Sequence, residues 1–96
     1  MELQFKDREL EKLVQGRAFK RIPRALMRRI QRKVRLLNAA NEIRDLRHPP
    51  GNRLERLRGD RAGQFSIRVN EQFRICFRLD EETHRIYDIE FVDYHP

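Results

Sequence analysis

The sequence predicts an α+β domain in which N-terminal helices pack on one face of a small antiparallel sheet of about four strands. Apolar residues in the first half recur at three- and four-residue spacings, whereas those of the second half alternate. Between the two regimes stands "HPPG" (48–51), where consecutive prolines end helical structure. With 96 residues there is room for one core, so a single domain is expected over residues 1–96.

"MELQF" reads as a short edge strand. Asp7 then suits a helix N-cap, with Glu9 and Glu11 in the first turn, where carboxylates meet the positive end of the helix dipole. Leu10, Leu13 and Val14 share a face, and Gly16 is a natural stop. The second helix starts near Pro23, a residue suited to a first helical position. Its Leu26, Met27, Ile30, Val34 and Leu37 form an apolar stripe for the core. Arg24, Arg28, Arg32 and Arg35 run along another side, either as a solvated face or as a surface for RNA, ribosome or an acidic partner. Asn41 is expected to cap one helical turn through Ile43 and Leu46.

Beyond the prolines everything reads as sheet. "RLERLR" is a strand in which Leu54 and Leu57 break alternation, as a bulge would. "GDRAG" is a turn. In "QFSIRV", Phe65, Ile67 and Val69 point one way and Gln64, Ser66 and Arg68 the other. "FRICFRL" repeats the pattern, with Phe73, Ile75, Phe77 and Leu79 inward and Arg74, Cys76 and Arg78 outward. "DEET" turns the chain into the last strand, "RIYDIEFV".

Charge narrows the function. The net charge is +7, and arginine outnumbers lysine 18 to 4. Guanidinium forks match phosphate oxygens and stack on bases, which makes nucleic acid the leading class of partner. A solvated basic surface or a docking face for an acidic protein is the alternative. The charge is also uneven: residues 16–41 hold nine basic groups and no acid, while 80–96 hold six acids and one arginine. No apolar run is long enough to cross a bilayer and the N-terminus lacks a signal-peptide layout, so no membrane is expected and the expected compartment is the cytoplasm. One cysteine cannot form an internal disulfide. His48, His84 and His95 sit in separate segments without ligand spacing, and there is no glycine-rich phosphate loop, so neither metal nor cofactor is expected.

Two clusters remain for chemistry. Arg68 and Arg74, on adjacent strands, would make a positive shelf unless Asp88 or Glu90 pairs with them. The closing "IEFVDYHP" poses the sharper question. Asp93 shares parity with Ile89 and Phe91, and an unpaired carboxylate aimed at the core is costly, so the strand is expected to bend or end near Val92. Asp93, Tyr94 and His95 would then emerge beside Arg74. Such a set suits RNA: tyrosine stacks on a base, arginine steadies a pentavalent phosphate, and Asp93 or His95 moves protons as a ribose 2′-hydroxyl attacks the adjacent phosphate. A frayed structural tail is the other reading.

The same residues carry a resemblance. "PPGNRLERLRGDRAGQFSIRVNEQFRICF" followed by "VDYH" resembles the HigB-type toxins of the RelE/ParE superfamily, and "AANEIRDLRHPPGNRLE" is similar to that family's approach to its sheet. The resemblance implies the toxin of a type II toxin–antitoxin pair, a ribosome-dependent mRNA endoribonuclease cutting at A-site codons. The partners it implies are a cognate helix-turn-helix antitoxin (HigA-like), the ribosome with its A site and rRNA, and mRNA; operator DNA is met only through the antitoxin. By position, "RLRGD" puts Arg58 where a basic catalytic residue, often lysine, is expected. "QFRICF" makes Arg74 the phosphate or transition-state arginine, with Arg68 assisting on RNA. "VDYH" makes Asp93 and His95 the proton-transfer groups and Tyr94 the base-stacking residue. Some members carry a histidine in the first long strand where this chain has Glu55, and tryptophans where it has Phe65 and Phe73. A gyrase-inhibiting toxin of the ParE type and a non-catalytic RNA- or ribosome-binding module are the alternatives; the intact "VDYH" and Arg74 speak against the gyrase reading.

Overall fold

Alternating apolar residues build β3 (Phe65–Arg68), β4 (Phe73–Asp80) and β5 (Arg85–Asp93), and helical spacing builds α1 (Arg8–Val14) and α2 (Met27–Ala39). Two further strands, β1 (Glu2–Phe5) and β2 (Glu55–Arg56), complete a five-stranded sheet of order β1-β5-β4-β3-β2. The structure, a computed structural model, describes residues 1–17 and 20–94, so His95 lies outside the described residues.

The expected antiparallel meander is present as β2 to β5, and β1 adds an edge strand parallel to β5, with Leu3 opposite Ile86 and Phe5 opposite Ile89. The sheet is therefore mixed, with one strand more than expected. Both helices lie on one face. Their Leu10, Leu13, Ile30 and Leu37 meet Ile67, Ile75, Phe77, Ile86 and Ile89 of the sheet, all fully buried.

Several local expectations shift. Pro23 caps a 3₁₀ turn, Arg24–Leu26, that runs into α2 at Met27. The cap expected at Asn41 falls on Glu42, which forms a capping box with Asp45 ahead of the 3₁₀ turn Ile43–Arg47. The Asn41 and Glu42 amides both donate to the Asp45 carboxylate and hold its pKa below the ordinary value. "RLERLR" contributes only Glu55 and Arg56 to the ladder, because Leu54 and Leu57 both turn inward and the segment cannot keep strict alternation.

Strand β5 holds a bulge. Cys76 pairs with Glu90 and Arg78 with Tyr87, leaving an extra residue on β5 where Asp88 adopts φ 52°. The bulge shifts side-chain parity, so Ile86 before it and Ile89 and Phe91 after it all face the helices. The strand does not end at Val92: Asp93 pairs with Phe73 in the ladder. It escapes burial because the core thins at this end, where Phe73 is only half-buried.

Asp7 joins the two ends of the chain. Its carboxylate caps α1 at the Leu10 amide (3.1 Å), accepts from the Phe91 amide of β5 (3.0 Å) and pairs with Arg21 (2.5 Å). Asp7→Ala removes a cap and leaves the Phe91 amide unpaired, so urea unfolding is expected to show a loss of about 3 kcal/mol. Glu9→Ala, which breaks only the half-exposed contact of Glu9 with Arg21, is expected to lose under about 1 kcal/mol.

Candidate active site

On the sheet face away from the helices, β3 and β4 bring Arg68 directly opposite Arg74. Two guanidinium groups in that register repel unless acids or carbonyls lie between them. The sequence supplies these from the neighbouring loops. Arg68 donates from Nε to the Asn70 carbonyl (3.1 Å) and approaches Glu71 (4.0 Å). Arg74, only 8% exposed, donates from Nη2 to the Arg53 carbonyl (2.5 Å) and pairs through Nη1 with Glu55 (3.5 Å). Its guanidinium also lies over the Tyr94 ring, 5.6 Å from the centroid. Nε of Arg74 is buried without a hydrogen-bond partner among the described residues.

These groups enclose an open cleft of about 320 Å³, lined by Arg53, Glu55, Arg68, Asn70, Glu71, Arg74 and Tyr94. Each wall has a local cause. Arg53 follows the 3₁₀ turn Pro50–Asn52 and takes a left-handed conformation (φ 42°, ψ 56°), the backbone state in which its carbonyl accepts from Arg74. Buried Asn52 fixes that turn by donating to the Leu46 and His48 carbonyls (both 3.1 Å) and accepting from Lys33. The Asn70 side chain accepts from the Gln72 and Phe73 amides (2.9 and 2.7 Å), tightening the β3–β4 turn. The Tyr94 amide donates to the Gln72 carbonyl (3.0 Å), and the Gln72 side chain donates to Asp93 (3.0 Å).

The structure thus brings together Arg68, Arg74 and Tyr94. Asp93 projects on the opposite side of β5, paired with Phe73, and is not among the residues lining the cleft. Arg58 is exposed at the start of the 3₁₀ turn Gly59–Arg61 and is also not among them. Glu55 does line it, in register with Ser66, as the alternation of a strand through 55 and 56 would indicate. Arg53, Asn70 and Glu71 lie in loops, where strand alternation gave no signal.

The suggested pairing of Arg68 or Arg74 with Asp88 or Glu90 is not what forms. Asp88 meets Arg78 (3.5 Å), and Glu90 accepts from Arg61 (2.6 Å), a residue the pattern singled out for nothing. The Glu90 contact raises the Arg61 pKa against the opposing effect of burial. This pair lies beside Cys76, and the centre of the face is closed rather than open: Ser66 and Cys76 are both fully buried. Burial pushes the Cys76 thiol up to about 11, with Arg61 opposing and Glu90 reinforcing the shift.

The cleft can hold an anion against Arg74 and Arg68, offer an aromatic face through Tyr94 and present a half-exposed carboxylate from Glu55. Those are the elements of a phosphate-ester site.

Two outcomes follow from this geometry. Arg53→Gly keeps the carbonyl and relieves a left-handed side-chain conformation, whereas Arg53→Val worsens it; each is expected to move stability by about 1 kcal/mol, in opposite directions, in thermal melts. For Cys76, the unfolded thiol ionises near its ordinary 9.0 while the folded one holds its proton to about 11. The unfolded state then binds fewer protons, so stability is expected to fall as pH rises above about 9. Iodoacetamide should alkylate the thiol slowly in the folded protein and quickly once denaturant is added.

Residues 3–95 match the family of HigB-like toxins, described as RelE-like toxins of type II toxin–antitoxin systems. The chain is 43% identical over 79 residues to Toxin HigB-1 of Vibrio cholerae serotype O1, covering 81% of this chain and 83% of that protein. It is 35% identical over 85 residues to an uncharacterized protein of Haemophilus influenzae, covering 86% and 84%. Among solved structures it is similar to a chain of the heterotetrameric YoeB–YefM toxin–antitoxin complex from Staphylococcus aureus (TM-score 0.59, 19% identity, 100% of this chain and 98% of that one). A YoeB/ParE toxin from Agrobacterium tumefaciens is similar to the same degree (TM-score 0.59, 18% identity, 99% and 100%). At such identities these structures speak for the fold alone.

Proposed function

Because the chain belongs to the HigB-like toxin family, the RelE-like toxins of type II toxin–antitoxin systems, we propose that it is a ribosome-dependent endoribonuclease that cuts mRNA at A-site codons. The observation that carries this reading is the buried Arg74 guanidinium, held by the Arg53 carbonyl and Glu55 and facing an open cleft beside the Tyr94 ring. A fixed cation of this kind stabilises charge that develops on a phosphate without having to reorganise.

In this reading an mRNA phosphate sits against Arg74, with Arg68 beside it and a base stacked on Tyr94. The ribose 2′-oxygen attacks phosphorus, the bond from phosphorus to the 5′-oxygen breaks, and the products are a 2′,3′-cyclic phosphate and a 5′-hydroxyl. Glu55 takes the 2′-hydroxyl proton and His95 returns one to the leaving oxygen. Asp93 acts through Gln72, which holds the Tyr94 amide, and so positions the stacking ring. Arg58 supplies charge to the approaching RNA from the exposed edge of the domain. Positioning by the ribosome compensates for a cleft with few acid–base groups. The remaining partners in this reading are rRNA around the A site and a cognate helix-turn-helix antitoxin. Operator DNA is reached only through that antitoxin, and the setting is the cytoplasm.

Adding purified protein to translating ribosomes and mapping mRNA 5′ ends tests the reading. The expected result is cuts at A-site codons, none on naked RNA, with Arg74→Ala slower by about 10²-fold or more, as removal of a single transition-state donor does elsewhere. Tyr94→Ala should impair cutting more than it lowers the melting temperature. Glu55→Gln, which cannot take the 2′-hydroxyl proton, should slow cutting by about 10²-fold or more. Folded protein that arrests ribosomes or gyrase without cutting RNA would overturn the nuclease reading.

A further inference from the structure

A second concavity, of about 360 Å³, lies between α2 and the end of the β3–β4 hairpin, lined by Arg29, Arg32, Lys33, Leu36, Pro49 and Val69. Three of its six lining residues are cations and none is an acid. None of these cations is ion-paired among the described residues. Two of the three are nevertheless held in place by neutral groups. Arg29 donates to the Val69 carbonyl (3.3 Å), and Lys33 donates to the side-chain oxygen of buried Asn52. Burial lowers the Lys33 pKa, and the proximity of Arg29 and Arg32 lowers it further.

We propose that this groove binds the phosphodiester backbone of RNA next to the cleft. An anion seated there would meet two donors already oriented, Arg29 and Lys33, with exposed Arg32 beside them, and would relieve the repulsion among the three. Continuity favours RNA over an acidic peptide. Val69 lines the groove, while its chain neighbours Arg68 and Asn70 line the cleft on the other side of the sheet. The two concavities therefore meet around the end of one strand, and a flexible chain of evenly spaced phosphates can pass from one to the other. The choice of RNA as the polyanion rests on the nuclease reading; the anion site itself rests on the three cations.

The test is fluorescence anisotropy with a labelled single-stranded RNA, 2′-O-methylated throughout so that no 2′-hydroxyl can attack, titrated over a range of salt concentrations. Each phosphate neutralised on a single strand contributes about 0.7 to the slope of log affinity against log salt, so the Arg29→Gln/Arg32→Gln double variant should lower that slope by about 1.4. Its affinity at low salt should fall about tenfold or more. The Arg28→Gln/Arg35→Gln pair, exposed on the same helix but outside the groove, should change the slope far less. Lys33→Arg, which keeps the charge, should retain the wild-type slope and serves as the second variant should the double variant melt early. An unchanged slope in the double variant, an equal loss in the Arg28/Arg35 pair, or no salt-dependent binding by the wild type would overturn the proposal. So would displacement of polyglutamate, but not RNA, by the groove substitutions, which would assign the surface to an acidic protein. Ribosomal cleavage is scored separately: cutting with an unchanged slope sinks the groove alone, and a lowered slope without cutting sinks the nuclease alone.

Discussion

A guanidinium held inside a small sheet is the constraint around which the cleft is organised. Removing Arg74 from water costs several kcal/mol unless its donors are met. The fold meets the two terminal nitrogens with the Arg53 carbonyl and the Glu55 carboxylate and sets the face of Tyr94 over the group, while Nε has no hydrogen-bond partner among the described residues. Arg53 and Glu55 lie two residues apart, between the prolines and the short second strand, whereas Tyr94 follows the last strand. Satisfying one buried charge thereby draws two segments remote in sequence onto the same group. The left-handed backbone at Arg53, the anchoring of its turn by Asn52 and the Gln72 contact that holds Tyr94 are all subordinate to it.

The rest of the charge is distributed by the same logic but with different results. Over the open face of the sheet, arginines find acids: Arg61, from the 3₁₀ turn, with Glu90, and Arg78 with Asp88. On the second helix, Arg29, Arg32 and Lys33 find carbonyls or an amide, or remain solvated. A strongly basic protein can therefore look neutral along one surface and highly positive along another. The first arrangement steadies the fold, and the second leaves charge available to an external anion.

Much of this was legible in the residues, for reasons that can be named. Apolar spacing located α1, α2 and strands β3, β4 and β5 because burial on one face imposes a period. Asp7 was recognisable as a cap because only a few side chains can accept from a helix's first amides. Arg68 and Arg74 converge because alternation fixes which way β3 and β4 project; Tyr94 joins them through the β5 bulge, which alternation did not signal. The parallel placement of β1 was not legible, since a four-residue strand carries no signal of its partner. The Glu42 cap was displaced by one residue, a shift that pattern alone does not resolve. Arg53 and Arg61 went unnoticed because their roles depend on loop geometry. The tail was expected to bend or end near Val92; the strand stays in register through Asp93, ends there and outruns the core.

The bulge at Asp88 reaches further than the hydrogen bonds it disrupts. In an unbroken strand, Ile86 and Tyr94 would share a face, because even-numbered residues project together. Tyr94 would then lie toward the helices, and Phe91 and Asp93 would turn toward the arginines. One inserted residue reverses that assignment for everything downstream. The chemical character of the cleft is thus decided by counting: a half-step in the backbone, six residues before the tyrosine, selects which side chains of the tail meet Arg74.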